Sequence, residues 1–188
     1  RSNLRRNKNR RKFKQKIKEN EEWLKKEFAG VRTGRANPSL LDGILVESYG
    51  SKVPINQVGN ISVEDSRNIR ISPWDMSVAK EIERAIGSVN LGVAVALDDK
   101  GVRVSFPELT AERRGQIVKI AKEKLEQAKV SIRIQRDAVI KDIQAKEKEG
   151  GLGKDDVLRF KNELQKNVDG ANKALEELFA KKEKEILN

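Results

Sequence analysis

The 188-residue sequence contains no cysteine and no histidine. Without cysteine there is no disulfide framework, no thiolate nucleophile and no thiolate metal ligand. Without histidine the commonest general base and the commonest imidazole ligand are missing as well. Carboxylate, lysine and tyrosine chemistry stay formally available, but a chain of this size lacking both side chains fits an enzyme poorly, and neither catalysis nor a cofactor is expected. Aromatic residues are few: five Phe, two Trp and one Tyr. That scarcity argues against recognition of single-stranded nucleic acid by base stacking, which needs aromatic platforms. Long apolar runs are absent too. No window approaches the ~18 consecutive apolar residues of a membrane span, so a soluble chain with no membrane partner is expected.

Charge is what the sequence has in abundance. Forty Lys and Arg against 29 Asp and Glu leave a net charge of +11, and charged residues equal hydrophobic ones at 37% each. Such a balance suits long helices with one buried stripe better than a deep globular core. The charge is unevenly placed: residues 1–35 carry a net +10, residues 36–107 a net −2 and residues 108–188 a net +3. If the first and last segments form one body, a polyanion such as RNA would choose it over the middle. Arg1 to Lys18 hold ten basic residues and no acidic one. This run reads either as a solvated or disordered arm, the remnant of a trimmed targeting sequence, or as an additional contact to an RNA backbone.

Periodicity divides the chain in the same places. Phe13, Ile17, Asn20, Leu24, Phe28 and Val31 recur every three or four residues, the stripe of an amphipathic helix interrupted by Asn20. Asn37-Pro38 then forbids further helix, because proline pushes the preceding residue out of the α region. From residue 41 the period changes. Ile44–Val46, Val53–Ile55 and Ile69–Ile71 are short β-branched runs separated by Tyr49-Gly50, Gly59-Asn60 and Glu64-Asp65-Ser66 punctuation. Pro54 suggests an edge strand. Val78, Ile82, Ala85, Ile86 and Val89 mark a helix that Asn90-Leu91-Gly92 ends. Val93–Leu97 and Val102–Phe106 flank Asp98–Gly101 as a hairpin. Helix resumes after Pro107 with Thr110 as N-cap, and Ile117, Ala121, Leu125, Ala128, Ile132, Val139 and Ile143 continue it almost to Gly150. Gly150–Gly153 turns the chain, Asp155 or Asp156 caps the next helix, and Phe160, Leu164, Val168, Ala171, Leu175, Leu178 and Ile186 form a third stripe.

Three long stripes without other partners predict an α+β protein. Residues 1–33 and 108–188 form an elongated three-helix bundle, and residues 34–107 form a small β/α/β domain inserted between its first and second helices. Two crossings join them, and Gly30, Thr33, Gly34, Ser105, Phe106 and Pro107 are the candidate hinge residues.

Some tempting motifs carry no chemistry. Gly150–Lys154 reads GGLGK, but a phosphate-binding loop needs four residues between its glycine and Gly-Lys-[Ser/Thr], and Asp155 stands where the hydroxyl belongs. Asp98-Asp99 and Asp155-Asp156 lie at a hairpin tip and a helix start, where adjacent acids usually serve turns and caps, so no metal is assigned. Trp74 is expected in the core. Lys122, Lys129, Arg133 and Arg136, at spacings of seven, four and three, share one helix face. Glu126 and Asp137 near that stripe support a merely solvated face, and Arg32 and Arg35 could simply neutralise the end of the first helix.

RTGRANPSLLDG at Arg32–Gly43, VEDSR at Val63–Arg67, PELTAERR at Pro107–Arg114 and EQAKVSIR at Glu126–Arg133 together resemble the bacterial and organellar ribosome recycling factor family, in its order and spacing. The resemblance implies a bundle and a β/α/β domain set in an L. It implies a monomer that binds large-subunit ribosomal RNA at the intersubunit face and works with elongation factor G, which supplies the GTP hydrolysis. It further implies an RNA-facing role for Arg133, Arg136, Arg32 and Arg35, with Arg32 and Arg35 also holding the hinge, and Lys129 and Lys122 are expected to join them as members of the same basic stripe. Asp137 departs from the family's Arg-x-x-Arg-Arg, where a third arginine stands. The expected location is the bacterial cytoplasm, and an organelle interior is also compatible with the sequence. The alternative is a generic basic helical RNA-binding or adaptor protein without recycling activity.

Overall fold

The computed structural model describes the backbone of residues 2–188 and the side chains of residues 8–188. Along the chain run α1 (Ser2–Ala29), β1 (Leu45–Ser48), β2 (Ser51–Pro54), β3 (Gly59–Asp65), β4 (Asn68–Pro73), α2 (Ala79–Gly87), β5 (Ala94–Asp98), β6 (Gly101–Ser105), α3 (Ala111–Lys148) and α4 (Lys154–Leu187). Packing divides the chain into two compact units: Arg1–Phe28 with Lys119–Glu183, and Ala29–Val118 with Lys184–Asn188.

The first unit is helical. Phe13, Leu24 and Phe28 of α1 are buried with Ala121, Leu125, Ala128 and Ile132 of α3 and Val157, Leu164, Val168, Ala171 and Leu175 of α4. Each large apolar side chain buried this way contributes about 1.5–3 kcal/mol, which is why three helices of such polar composition hold together. Asn20, the polar break in the first stripe, donates its Nδ2 to the Ala128 carbonyl at 2.9 Å. Lys124 pairs with Glu27 at 2.8 Å and Arg10 with Glu163 at 2.6 Å, tying α1 to both other helices.

Of the basic run over residues 1–18, the side chains up to residue 7 lie outside the described residues. From Lys8 the run is helical and anchored by Phe13, 4% exposed, so residues 8–18 are not a disordered arm.

α3 ends in a Schellman turn. Gly150 has φ 77°, the Gly151 N–H bonds the Lys146 carbonyl at 3.0 Å and the Gly150 N–H bonds Glu147 at 3.0 Å, satisfying carbonyls the helix end leaves open. GGLGK is this connection. Asp155 and Asp156 fall in the first turn of α4 instead of capping it, because the helix starts at Lys154 with the Val157 N–H on the Gly153 carbonyl. There they complement the positive helix pole.

The second unit holds two antiparallel sheets, β1-β2 and β3-β4-β6-β5. Ile69, Ile71, Val102 and Val104 are fully buried with Ile82 and Ile86 of α2 and with Val46 and Ile55. Tyr49 and Gly50 join β1 to β2 with φ of 50° and 81°, the left-handed pair whose twist suits a two-residue hairpin. Pro54 pairs with Leu45 in this two-stranded sheet, where every strand is an edge.

Two features depart from the expectations. β3 occupies residues read as punctuation: Gly59 pairs with Pro73, and a Cβ there would lie 2.7 Å from the Ser72 carbonyl oxygen. The glycine marks a close strand approach. Trp74, expected in the core, is 71% exposed. Alternation from Ile69 and Ile71 turns residue 73 inward and residue 74 outward, and the Trp74 N–H bonds the Val58 carbonyl at 3.1 Å as the chain leaves β4.

Candidate nucleic-acid interface

The basic stripe on α3 spans roughly 60° of the helix circumference at 3.6 residues per turn. Its two edges differ. Lys129 and Arg136 lie on the side nearest the buried residues Leu125, Ala128 and Ile132, and both are half-buried. Lys129 Nζ pairs with Glu176 of α4 at 2.6 Å, and Arg136 Nη2 with Asp137 at 3.1 Å. The hydrogen bond from Lys129 holds the Glu176 carboxyl below its ordinary range. Lys122 and Arg133 sit a step further out and are exposed. Lys122 Nζ lies 5.6 Å from the Phe179 ring centroid. Arg133 forms no hydrogen bond or ion pair among the described residues. The guanidinium presented most freely to an anion on this face is therefore that of Arg133.

Arg32 is committed elsewhere. Its Nη1 donates to the carbonyls of Gly92 at 2.9 Å and Leu91 at 3.4 Å, its Nη2 donates to Pro107, and the guanidinium lies 5.8 Å over the Phe106 ring. One planar fork thus ties the first crossing to the second and to the loop before β5, a geometry a lysine ammonium does not reproduce. Burial, then the nearby Arg113 charge, lowers its pKa. Arg35 is exposed, with its N–H on Thr33 Oγ1 at 3.4 Å. Arg114 Nη1 donates to the Leu187 carbonyl at 2.8 Å, closing the C-terminus of α4, while the Arg113 N–H uses Thr110 Oγ1 at 3.1 Å as its cap.

Two of the hinge candidates, Ser105 and Phe106, meet the β3–β4 turn, as does Ala36 just after the first crossing. The Ala36 N–H bonds the Ser66 carbonyl at 2.7 Å, the Phe106 N–H bonds the Arg67 carbonyl at 2.7 Å, and Ser105 Oγ donates to Asn68 Oδ1 at 2.7 Å. Phe106 is 1% exposed, whereas Gly30 and Pro107 are exposed and Thr33 and Gly34 half-buried. Asp65 organises the turn by accepting from the Arg67 N–H at 2.9 Å and from Asn68 Nδ2 at 2.9 Å. Those bonds, the Arg67 backbone bond foremost, lower its pKa. The VEDSR block thus supplies carbonyls that receive both crossings. Its Asx-turn signature was readable in the sequence, but its long-range acceptors were not.

Asp98 accepts Arg70 Nη1 at 2.6 Å and the Lys100 N–H at 2.8 Å. No helix among the described residues is long and apolar enough to cross a membrane.

Comparison with known proteins bears on the family and the fold. The ribosome recycling factor family model matches residues 24–187. The chain is 43% identical over 182 residues to the ribosome-recycling factor of Symbiobacterium thermophilum, covering 93% of this chain and 98% of that one. It is 45% identical over 165 residues to that of Oleidesulfovibrio alaskensis, covering 87% and 89%. A solution structure of a ribosome recycling factor aligns with TM-score 0.75 and 37% identity over 94% of each chain. A second structure, comprising models for the T. thermophilus ribosome recycling factor and the E. coli elongation factor G bound to the E. coli post-termination complex, aligns with TM-score 0.65 and 33% identity, covering 97% and 98%. A family match spanning nearly the whole chain, with relatives above 40% identity at similar length, establishes that this chain belongs to the ribosome recycling factor family.

Proposed function

We propose that this chain acts in the bacterial cytoplasm with elongation factor G and GTP to split post-termination ribosomes into subunits, freeing the messenger for another round. The carrying observation is its likeness, across 97% of its length, to a recycling factor described together with elongation factor G on the post-termination complex. As a member of that family it is a translation factor and not an enzyme; nucleotide hydrolysis belongs to its partner.

In this reading Arg133, Arg136, Lys129 and Lys122 lay α3 on large-subunit ribosomal RNA at the intersubunit face. The unpartnered Arg133 leads, and Arg35 contributes from the first crossing. Phosphate contacts of this kind are shape-selective and weaken steeply with salt. The working bodies are the bundle of residues 1–33 and 108–188 and the domain of residues 34–107. The hinge runs through Gly30, Thr33, Gly34, Ser105, Phe106 and Pro107, and the Arg32 fork, besides any contact with RNA, keeps the two crossings moving together. The protein works as a monomer and needs no cofactor of its own.

Light scattering of post-termination ribosomes tests this directly. A fall in scattering only when the chain, elongation factor G and GTP are all present is the expected result. Salt-sensitive ribosome binding with no fall, repeated with elongation factor G from the same source, would instead support a basic adaptor without recycling activity.

A further inference from the structure

The charge along α1 changes character halfway. Its second half mixes signs: Lys25 lies 3.7 Å from Glu21 and 3.4 Å from Glu22, and Glu27 pairs with Lys124 at 2.8 Å. Residues 8–18 instead hold seven basic side chains and no acidic one. Two of the seven have partners. Arg10 pairs with Glu163 and lies 5.3 Å over the Phe160 ring, and Lys16 donates to Gln135 at 2.9 Å. The other five, Lys8, Arg11, Lys12, Lys14 and Lys18, are exposed, and among the described residues none has an acidic partner. They project away from Phe13, fanned over roughly 160° of the circumference of α1 at 3.6 residues per turn and about 15 Å of its length at ~1.5 Å per residue.

This arrangement works against the helix that carries it. α1 has no acidic residue in its first turn, so nothing there complements the positive helix pole. Lys8 with Lys12 and Lys14 with Lys18 are like-charged neighbours four residues apart, which repel. A solvated face gains nothing from such crowding, and the second half of the same helix shows how a solvated face is built. A helix lying on a membrane needs a free apolar side to enter the lipid, whereas Phe13 is 4% exposed and Ile17 half-buried within the helical unit. What remains is a stiff basic strip suited to a polyanion whose phosphates hold fixed positions.

We propose that Lys8, Arg11, Lys12, Lys14 and Lys18 form a second RNA-backbone surface on α1, separate from the α3 stripe, which takes the phosphates of duplex ribosomal RNA. The proposal deepens the reading of this chain as a ribosome-binding factor and rests on it for the identity of the RNA. The five charges add affinity and salt dependence without sequence preference, since phosphate contacts position but do not read bases.

The test compares the full chain, a variant with all five residues changed to Gln, and R133Q/R136Q. Each is titrated against a labelled RNA duplex of about 20 base pairs through a KCl series, a length sufficient for both grooves, and against phosphatidylglycerol vesicles. At nearly one counterion per phosphate contact, the five-residue variant should lose about 4 from the slope of log K against log[KCl]. R133Q/R136Q should lose about 1–2, and the combined variant the sum. The five-residue variant should also melt no lower than the parent, because repulsion along α1 is relieved. An unchanged slope on RNA, or a loss confined to vesicles, would overturn the proposal. Should the five-residue variant lose helicity, K12Q/K14Q decides: a slope reduced by about 1–2 supports the surface and an unchanged slope refutes it. The duplex assay needs neither ribosomes nor elongation factor G, so a failure to split ribosomes and a failure of this surface are read separately.

Discussion

The side-chain amide of Asn20 in α1 donates to the main-chain carbonyl of Ala128 in α3 at 2.9 Å, in the middle of an otherwise apolar seam. A half-buried amide with one fixed acceptor accepts only one alignment of the two helices, so the polar residue sets their register where leucines alone would tolerate sliding.

Asn20→Ala should therefore lower the unfolding free energy by about 1 kcal/mol, the net worth of a typical hydrogen bond. Asn20→Leu should recover stability while broadening the methyl NMR signals of the bundle, as alignment becomes less unique. Urea unfolding and NMR spectra of the two variants check this.

Arg70 is 7% exposed and holds Glu64 at 2.7 Å and Asp98 at 2.6 Å on the outer face of the four-stranded sheet. Hydrogen bonds from Arg70 foremost depress the pKa of both carboxyls. A depressed folded pKa gives stability that is present above the unfolded value, near about 4 for such groups, and lost as pH falls through the folded value. Thermal melts should therefore show the sheet unit weakening below about pH 4. In Arg70→Met, that acid-dependent loss should shrink, because the carboxyls no longer have a depressed pKa to lose.

Asp65 holds the β3–β4 turn whose carbonyls receive Ala36 and Phe106. Asp65→Ala should destabilise the sheet unit, because the Arg67 N–H and the Asn68 side chain lose the acceptor that shapes the turn. Amide exchange should quicken at Ala36 and Phe106 before it does at Ile69 or Ile71. Equal acceleration at all four would contradict the role given to the turn.

Asp137 occupies the position next to Arg136 and pairs with it at 3.1 Å, with 61% of its side chain exposed. Exposed pairs of this kind contribute little to folding, so Asp137→Asn should leave the melting temperature almost unchanged. It should free the Arg136 guanidinium and steepen the salt dependence of ribosome binding by about one unit of slope. Equilibrium binding at several KCl concentrations measures it.

The long helices were legible because a period of 3.6 residues persists over several turns, as in Leu164, Val168, Ala171 and Leu175. The hairpin at Asp98–Gly101 was legible because its turn chemistry is local. β3 was not, since Gly59 and the acidic end of the strand look like loop. Glycine there reports the nearness of Ser72, a long-range fact. Trp74 misled for a related reason: its size suggests burial, but the alternation of β4 decides its side. Among the basic residues, Arg32 and Arg133 look alike in sequence. Only the path of the chain separates a fork closed on carbonyls from a guanidinium left open.

Tyr49 is the sole tyrosine of the chain, held at φ 50° in the β1–β2 turn and donating its hydroxyl to Asp75. That hydrogen bond to a carboxylate raises the phenol pKa above its ordinary value. Phenolate absorbance therefore arises from a single known position, because the two tryptophans add a constant background and do not ionise over this range. Alkaline ultraviolet titration becomes a built-in optical gauge of whether this hairpin tip is fastened. A late, cooperative rise reads a docked tip, and a rise near pH ~10, the value for free tyrosine, reads one that has come away.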